Sequence, residues 1–142
     1  MEYTEGQLLS FTPFVFKNGA HPKKKYYIVL KLMEECLMMA SLPTSKDHVP
    51  NDIALKSGCI NISERLVNAY VFLPGNSVTD RFSFPRPTFV YGEQVDEYSQ
   101  KYLDEMNTEV VDLGIIHDEV FTDLKDCLKQ SVLLKRKYRN LL

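Results

Sequence analysis

Leu42-Pro43-Thr44-Ser45, running on into Lys46-Asp47-His48, is the stretch on which the fold turns. The residues before it, Cys36 to Ser41, are apolar or small with no turn former among them, and they read as a buried strand. Pro43 has no N–H to donate and ends the ladder there. A polar cluster therefore leaves the strand end: two adjacent hydroxyls, a lysine and an imidazole. Such a cluster offers donors to phosphate oxygens and a group that titrates near neutrality. The same residues also describe a capped strand end followed by a solvated turn.

Upstream, Tyr26 to Leu32 is β-branched, aromatic and almost continuously apolar, as in a strand covered on both faces. Glu34-Glu35 supplies a polar turn between it and the Cys36 to Ser41 strand. An antiparallel pair keeps the sum of its indices constant, so a hairpin folded around Glu34 sets position 25 opposite position 43. Lys23, Lys24 and Lys25 then fall beside Thr44 and Ser45. Before Tyr26 the segment from Lys17 to Lys25 contains the turn signal Asn18-Gly19 and reads as a basic loop. Leu8 to Phe16 favours extended structure through Phe11, Phe14 and Phe16, and Pro13 confines it to an edge or an irregular strand.

Downstream, Pro50 to Ile62 is rich in loop formers and has room for one short strand, whereas Leu66 to Leu73 is a strand closed by Pro74-Gly75-Asn76-Ser77. Thr88 to Tyr91 is a further short strand after Phe84-Pro85-Arg86-Pro87. Asp96 to Met106 carries Tyr98, Tyr102, Leu103 and Met106 as a helical stripe. From His117 or Asp118 onward, Val120, Phe121, Leu124, Cys127, Leu128 and Val132 repeat at helical spacing. Acidic residues open that helix and basic ones follow it, as its dipole favours. The expected fold is mainly β with a C-terminal helix, a compact barrel of five to seven strands, with an open antiparallel sheet covered by the last helix as its competitor.

The 142 residues fit one domain, 1–142, with an ordinary globular composition. No apolar run approaches the roughly 20 residues that cross a bilayer. The acidic Met1-Glu2-Tyr3-Thr4-Glu5 is unlike a secretory signal, so a cytoplasmic protein without membrane contact is expected. Cys36, Cys59 and Cys127 are odd in number and far apart, which suits reduced core thiols. No metal-ligand spacing joins them to His21 or His48, and neither metal nor cofactor is expected. Net charge is −2, so nucleic acid would have to be met by a local patch, Lys23 to Lys25 or Lys135 to Arg139.

Four motifs, in order, make the chain resemble the PemK/MazF-like toxins of toxin–antitoxin systems. They are the basic loop leading into Tyr26-Tyr27-Ile28-Val29-Leu30; Met38 to Ser45, an apolar strand ending in Thr-Ser; Phe84-Pro85 through Thr88-Phe89-Val90; and Leu113-Gly114 before the amphipathic helix. The resemblance implies a small SH3-like barrel, usually dimeric, that cleaves single-stranded RNA and is held inactive by a cognate antitoxin, protein or RNA. The arginine-proline pair of the MazF-type enzymes is replaced here by Lys23-Lys24-Lys25-Tyr26. A lysine ahead of a Tyr-containing strand, with Thr44-Ser45 at the next strand end, is similar to the ToxN-like branch instead.

RNA cleavage of this kind activates a 2′-hydroxyl, expels a 5′-oxygen and leaves a cyclic phosphate; the protein must take one proton, give one and neutralise the phosphorane. Lys25, or failing that Lys23 or Lys24, is the expected charge stabiliser. Thr44 and Ser45 would hold phosphate oxygens, with His21 and His48 as the base and acid pair. Lys23, Lys24 and Lys46 would bind RNA. Tyr26, Tyr27, Tyr91, Phe82 and Phe84 either stack bases or fill the core. A different class of function, a barrel without catalysis that binds RNA or protein, fits the same sequence, as does an unrelated small β-barrel.

Overall fold

The computed structural model describes residues 1–43 and 48–142. Among the described residues the strands are β1 (Gln7–Phe14), β2 (Lys23–Leu32), β3 (Cys36–Ser41), β4 (Gly58–Ile62), β5 (Val67–Phe72), β6 (Thr88–Val90), β7 (Val95–Ser99) and β8 (Glu109–Ile115). The helices are α1 (Gln100–Glu105), α2 (Asp118–Lys129) and α3 (Arg136–Arg139). The protein is mainly β with its longest helix near the C-terminus. Its strands form two antiparallel sheets, β7-β3-β2-β1-β8 and β4-β5-β6. Neither sheet closes on itself among the described residues.

The β2–β3 hairpin has the expected register where it matters. Tyr27 lies opposite Ser41, Ile28 opposite Ala40 and Val29 opposite Met39, and the register slips only nearer the turn, between Val29 and Lys31. The Leu42 N–H donates to the Tyr26 carbonyl at 3.1 Å, carrying the pairing to the strand's exit.

Alternation along the strands divides the interior. Leu8, Ile28, Leu30, Met38 and Ala40 point to one face of the larger sheet, where they meet Tyr70, Phe72 and Val90 of the smaller sheet and Leu124 and Leu128 of α2. Leu9, Phe11, Phe14, Tyr27, Val29 and Met39 point to the other face and pack with Tyr3, Tyr98 and Leu103. A third cluster, including Ile60, Val71 and Phe89, fills the outer face of the smaller sheet. The apolar continuity of β2 is thus explained: both of its faces are buried.

Several expectations are corrected. Of the two settings expected for Pro13, an edge or an irregular strand, the second is found: β1 lies between β2 and β8, and the missing donor is absorbed by a register shift between Phe11 and Phe14. Lys23 to Lys25 are strand rather than loop, because β1 offers partners to them: Phe14 faces Lys23 and Phe11 faces Lys25. The first part of the Asp96 to Met106 stripe is β7, drawn into extended form by the free edge of β3. Only Gln100–Glu105 is helical, capped by Ser99 Oγ accepting from the Tyr102 N–H at 3.0 Å. Val132 lies beyond the end of α2 and is exposed. Cys59 and Cys127 are not free thiols but a disulfide joining β4 to α2, a bond that persists in oxidising surroundings. Cys36 remains free.

Gly92 marks a close approach between the β6–β7 connection and the segment after α2. A Cβ there would stand 2.6 Å from Ser131 Oγ and 3.2 Å from Leu134 Cβ. Gly92→Ala is therefore expected to destabilise the fold by about 1–3 kcal/mol, as overpacking does, measured as a lower urea midpoint at unchanged slope.

Candidate nucleic-acid interface

At the open end of the β2–β3 hairpin lies a cleft of about 530 Å³. One wall is Lys23, Lys24, Lys25 and Tyr26 of β2; the floor is Leu42 and Pro43, leaving β3; the other wall is Phe84, Pro85, Arg86 and Thr88. The walls are held together by backbone. Phe89 donates its N–H to the Pro43 carbonyl at 3.2 Å, which sets β6 beside the exit of β3. Pro85 and Pro87 favour extended backbone in the residues before them, and Thr88 Oγ1 donates to the Arg86 carbonyl at 2.9 Å. The backbone of Arg86 is thereby held at the cleft wall facing the lysines.

Strand periodicity sorts the three lysines. Lys24 shares the face of Tyr26, and its Nζ stands 5.4 Å from that ring's centroid. Lys23 and Lys25 share the face of Tyr27 and reach the cleft from its edge. Lys25 is half-buried, and burial, followed by the charge of Lys23, pushes its amine below the ordinary lysine range. Tyr26 packs against Phe82 and Phe84 at 5.7 and 5.3 Å between centroids, leaving it half-buried with its ring beside the cations. Phe84, Tyr27 and Tyr91 are each 1% exposed and serve the core.

Arg86 was not among the expected site residues. It adds a guanidinium to the wall opposite Lys23, Lys24 and Lys25, from a distant part of the chain. Its signal in the sequence is a lone cation held between two prolines, which becomes legible only once β6 is known to lie against Pro43.

The other expected residues are distributed as follows. Thr44, Ser45 and Lys46 lie outside the described residues; Pro43, which precedes them in the chain, lines the cleft. His21 is exposed in the β1–β2 connection and does not line it. His48 does not line it either: Nε2 lies 3.2 Å from Glu93 Oε1, and the ring meets Tyr91 edge-on at 4.8 Å. It borders a separate small hollow with Asn61, Asn68 and Gln130. The two imidazoles are thus not brought to the cleft as an acid and base pair.

The second basic cluster also has structural employment. Arg139 donates to the carbonyls of Lys129, Ser131 and Leu134, satisfying acceptors left at the end of α2. Lys137 pairs with Glu97 at 2.7 Å. His117 stands at the start of α2, as expected, with its carbonyl accepting from Phe121 N–H.

Chemically, the cleft can hold an anion between lysine amines and a guanidinium while an aromatic face lies alongside. No described helix is long and apolar enough to cross a membrane. No protein-family model, no curated protein and no solved structure matches this chain.

Proposed function

We propose that this chain is a metal-independent endoribonuclease that cleaves single-stranded RNA in the Lys24–Arg86 cleft, the toxin component of a toxin–antitoxin pair. The observation that carries the reading is the concentration of four cations around Tyr26 in a protein whose net charge is −2. A phosphodiester needs that charge, and a base next to it needs a ring. Two sheets packed over a shared core would be the frame of an SH3-like barrel of the PemK/MazF-like kind. A cognate antitoxin, protein or RNA, would silence the enzyme by covering the cleft, and a homodimer is the assembly such toxins usually form.

In this reading Lys24 and Arg86 neutralise the phosphorane, Arg86 with the planar fork suited to two phosphate oxygens. As the 2′-oxygen bonds to phosphorus it gives its proton to solvent water, and as the bond from phosphorus to the 5′-oxygen breaks Lys25 donates a proton to that departing oxygen, a role for which a lowered lysine pKa is an advantage. An acid works only while protonated, so cleavage is expected to fall as pH rises through the Lys25 pKa, which lies below the usual 10.5. Lys25→Ala is expected to lose that descending limb and to slow cleavage about 100-fold or more, read from a pH–rate profile.

The direct test is incubation of the full chain with single-stranded RNA in EDTA. New 2′,3′-cyclic phosphate ends that disappear in Arg86→Ala support the reading; RNA left intact rejects it. A second reading, an RNA-binding module without catalysis, is favoured by one observation: neither His21 nor His48 lines the cleft. RNA retained by the protein but left whole would select it.

A further inference from the structure

On the opposite face of the larger sheet, at the same strand end, is a second hollow of about 220 Å³. Consecutive residues divide between the two. Tyr26 and Leu42 line the cleft, whereas Tyr27 and Ser41 line the hollow. Its apolar lining is the half-buried ring of Phe16, with Val95 and the largely covered rims of Tyr27 and Tyr98, which meet edge-on at 5.7 Å. Its polar lining is Ser41 and Gln94 with the charged side chains of Glu93, Asp96 and Lys135, and Glu93 is paired with His48 at 3.2 Å.

These polar atoms have a definite arrangement. Ser41 Oγ donates to Gln94 Oε1 at 2.9 Å, which leaves the two Gln94 amide N–H groups without a partner among the described residues. The Asp96 carboxylate, also in the wall, is already occupied: Lys17 lies 3.2 Å from Oδ2 and the Tyr138 hydroxyl 3.1 Å from Oδ1. Lys17 Nζ stands 4.3 Å from the Tyr98 ring centroid with its charge matched by Asp96, and the cation in the wall with no carboxylate partner among the described residues is Lys135. A hollow with aromatic walls, free amide donors on a fixed side chain and a cation nearby matches a planar heterocycle carrying acceptor atoms and attached to a phosphate.

We propose that this hollow is a nucleobase subsite for the RNA strand held in the cleft, the Gln94 N–H groups donating to the acceptor edge of the base. The inference rests on the RNA reading of the cleft and deepens it. A strand crossing the hairpin end at Lys23 to Lys25 would place a phosphate against the lysines and the neighbouring base behind them. The hollow would then set a sequence preference that the cleft, which grips only backbone, does not provide.

The test uses the full isotope-labelled chain and the four nucleoside 5′-monophosphates. At least one is expected to shift the Gln94 side-chain amide and Tyr98 ring resonances saturably. Gln94→Glu keeps the acceptor for Ser41 but replaces the donors with a second acceptor, and is expected to weaken that binding about tenfold. If none of the four moves those resonances in the unaltered protein, or if Gln94→Glu binds as well as the parent, the subsite is overturned. The two readings fail separately: a silent hollow with continuing RNA cleavage sinks only the subsite, and mononucleotide binding without cleavage sinks only the nuclease.

Discussion

Replacing Lys24 and Arg86 together by alanine is expected to weaken binding of single-stranded RNA at least about a hundredfold near 0.1 M salt, because two charge-assisted contacts to phosphate are lost. The salt dependence should change as well. Each phosphate neutralised on a single strand contributes roughly 0.7 to the slope of log K against log salt, so the double variant should show a slope shallower by roughly 1.4. The loss should be the same for RNAs of different sequence, since cations that grip backbone do not read bases. Both residues are at the rim of the cleft rather than in the core, so the folded state should survive the change. Filter binding or anisotropy across a salt series, with thermal unfolding as the control, checks all three statements.

The largest expected effect on stability belongs to Phe14→Ala. Phe14 is fully buried and is the hub of an aromatic cluster, with ring centroids of Tyr27, Phe11, Phe16 and Tyr98 at 4.4, 5.1, 5.2 and 5.7 Å. Truncating such a residue removes its transfer energy and leaves a cavity that four rings cannot collapse to fill, so a loss of about 3–5 kcal/mol is expected. Urea unfolding followed by tyrosine fluorescence measures it. The effect also separates the two faces of the sheet, because Phe14 lies on the face of Tyr27 and the second hollow, not that of the cleft.

How much of this was legible in the sequence follows from which forces shape each element. The hairpin from Tyr26 to Ser41 was readable down to its register because both faces of β2 are buried, so its apolar run is continuous and only one pairing satisfies Pro43. Helix α2 was readable because one stripe, Leu124, Cys127 and Leu128, faces a core and the rest faces water. β8 was not foreseen. It is an edge strand whose Glu109 and Asp112 are exposed, and what makes it a strand is the free side of β1, almost 100 positions earlier in the chain. For the same reason Asp96 to Ser99 reads as helix in isolation and is strand where it meets β3.

The site divides along similar lines. The basic wall of the cleft follows from local pairing, so Lys23 to Lys25 were placed near Pro43 correctly. Arg86 enters through a long-range contact between Phe89 and Pro43, and no local pattern announces it. His48, close in sequence to the expected phosphate-holding residues, is claimed instead by Glu93 and Tyr91 from the β6–β7 connection, which the sequence does not show to be near. The cysteines were misjudged by counting: an odd number suggested free thiols, yet two of the three meet across β4 and α2.

Photocrosslinking with single-stranded RNA containing 4-thiouridine, followed by mapping of the modified peptides, tests most directly whether the cleft is where the strand lies. The account predicts that crosslinks fall on the segments carrying Tyr26 and Arg86, and that they vanish when Lys24 and Arg86 are both replaced by alanine. Crosslinks confined to α2 and α3, or a pattern indifferent to that double replacement, would contradict it.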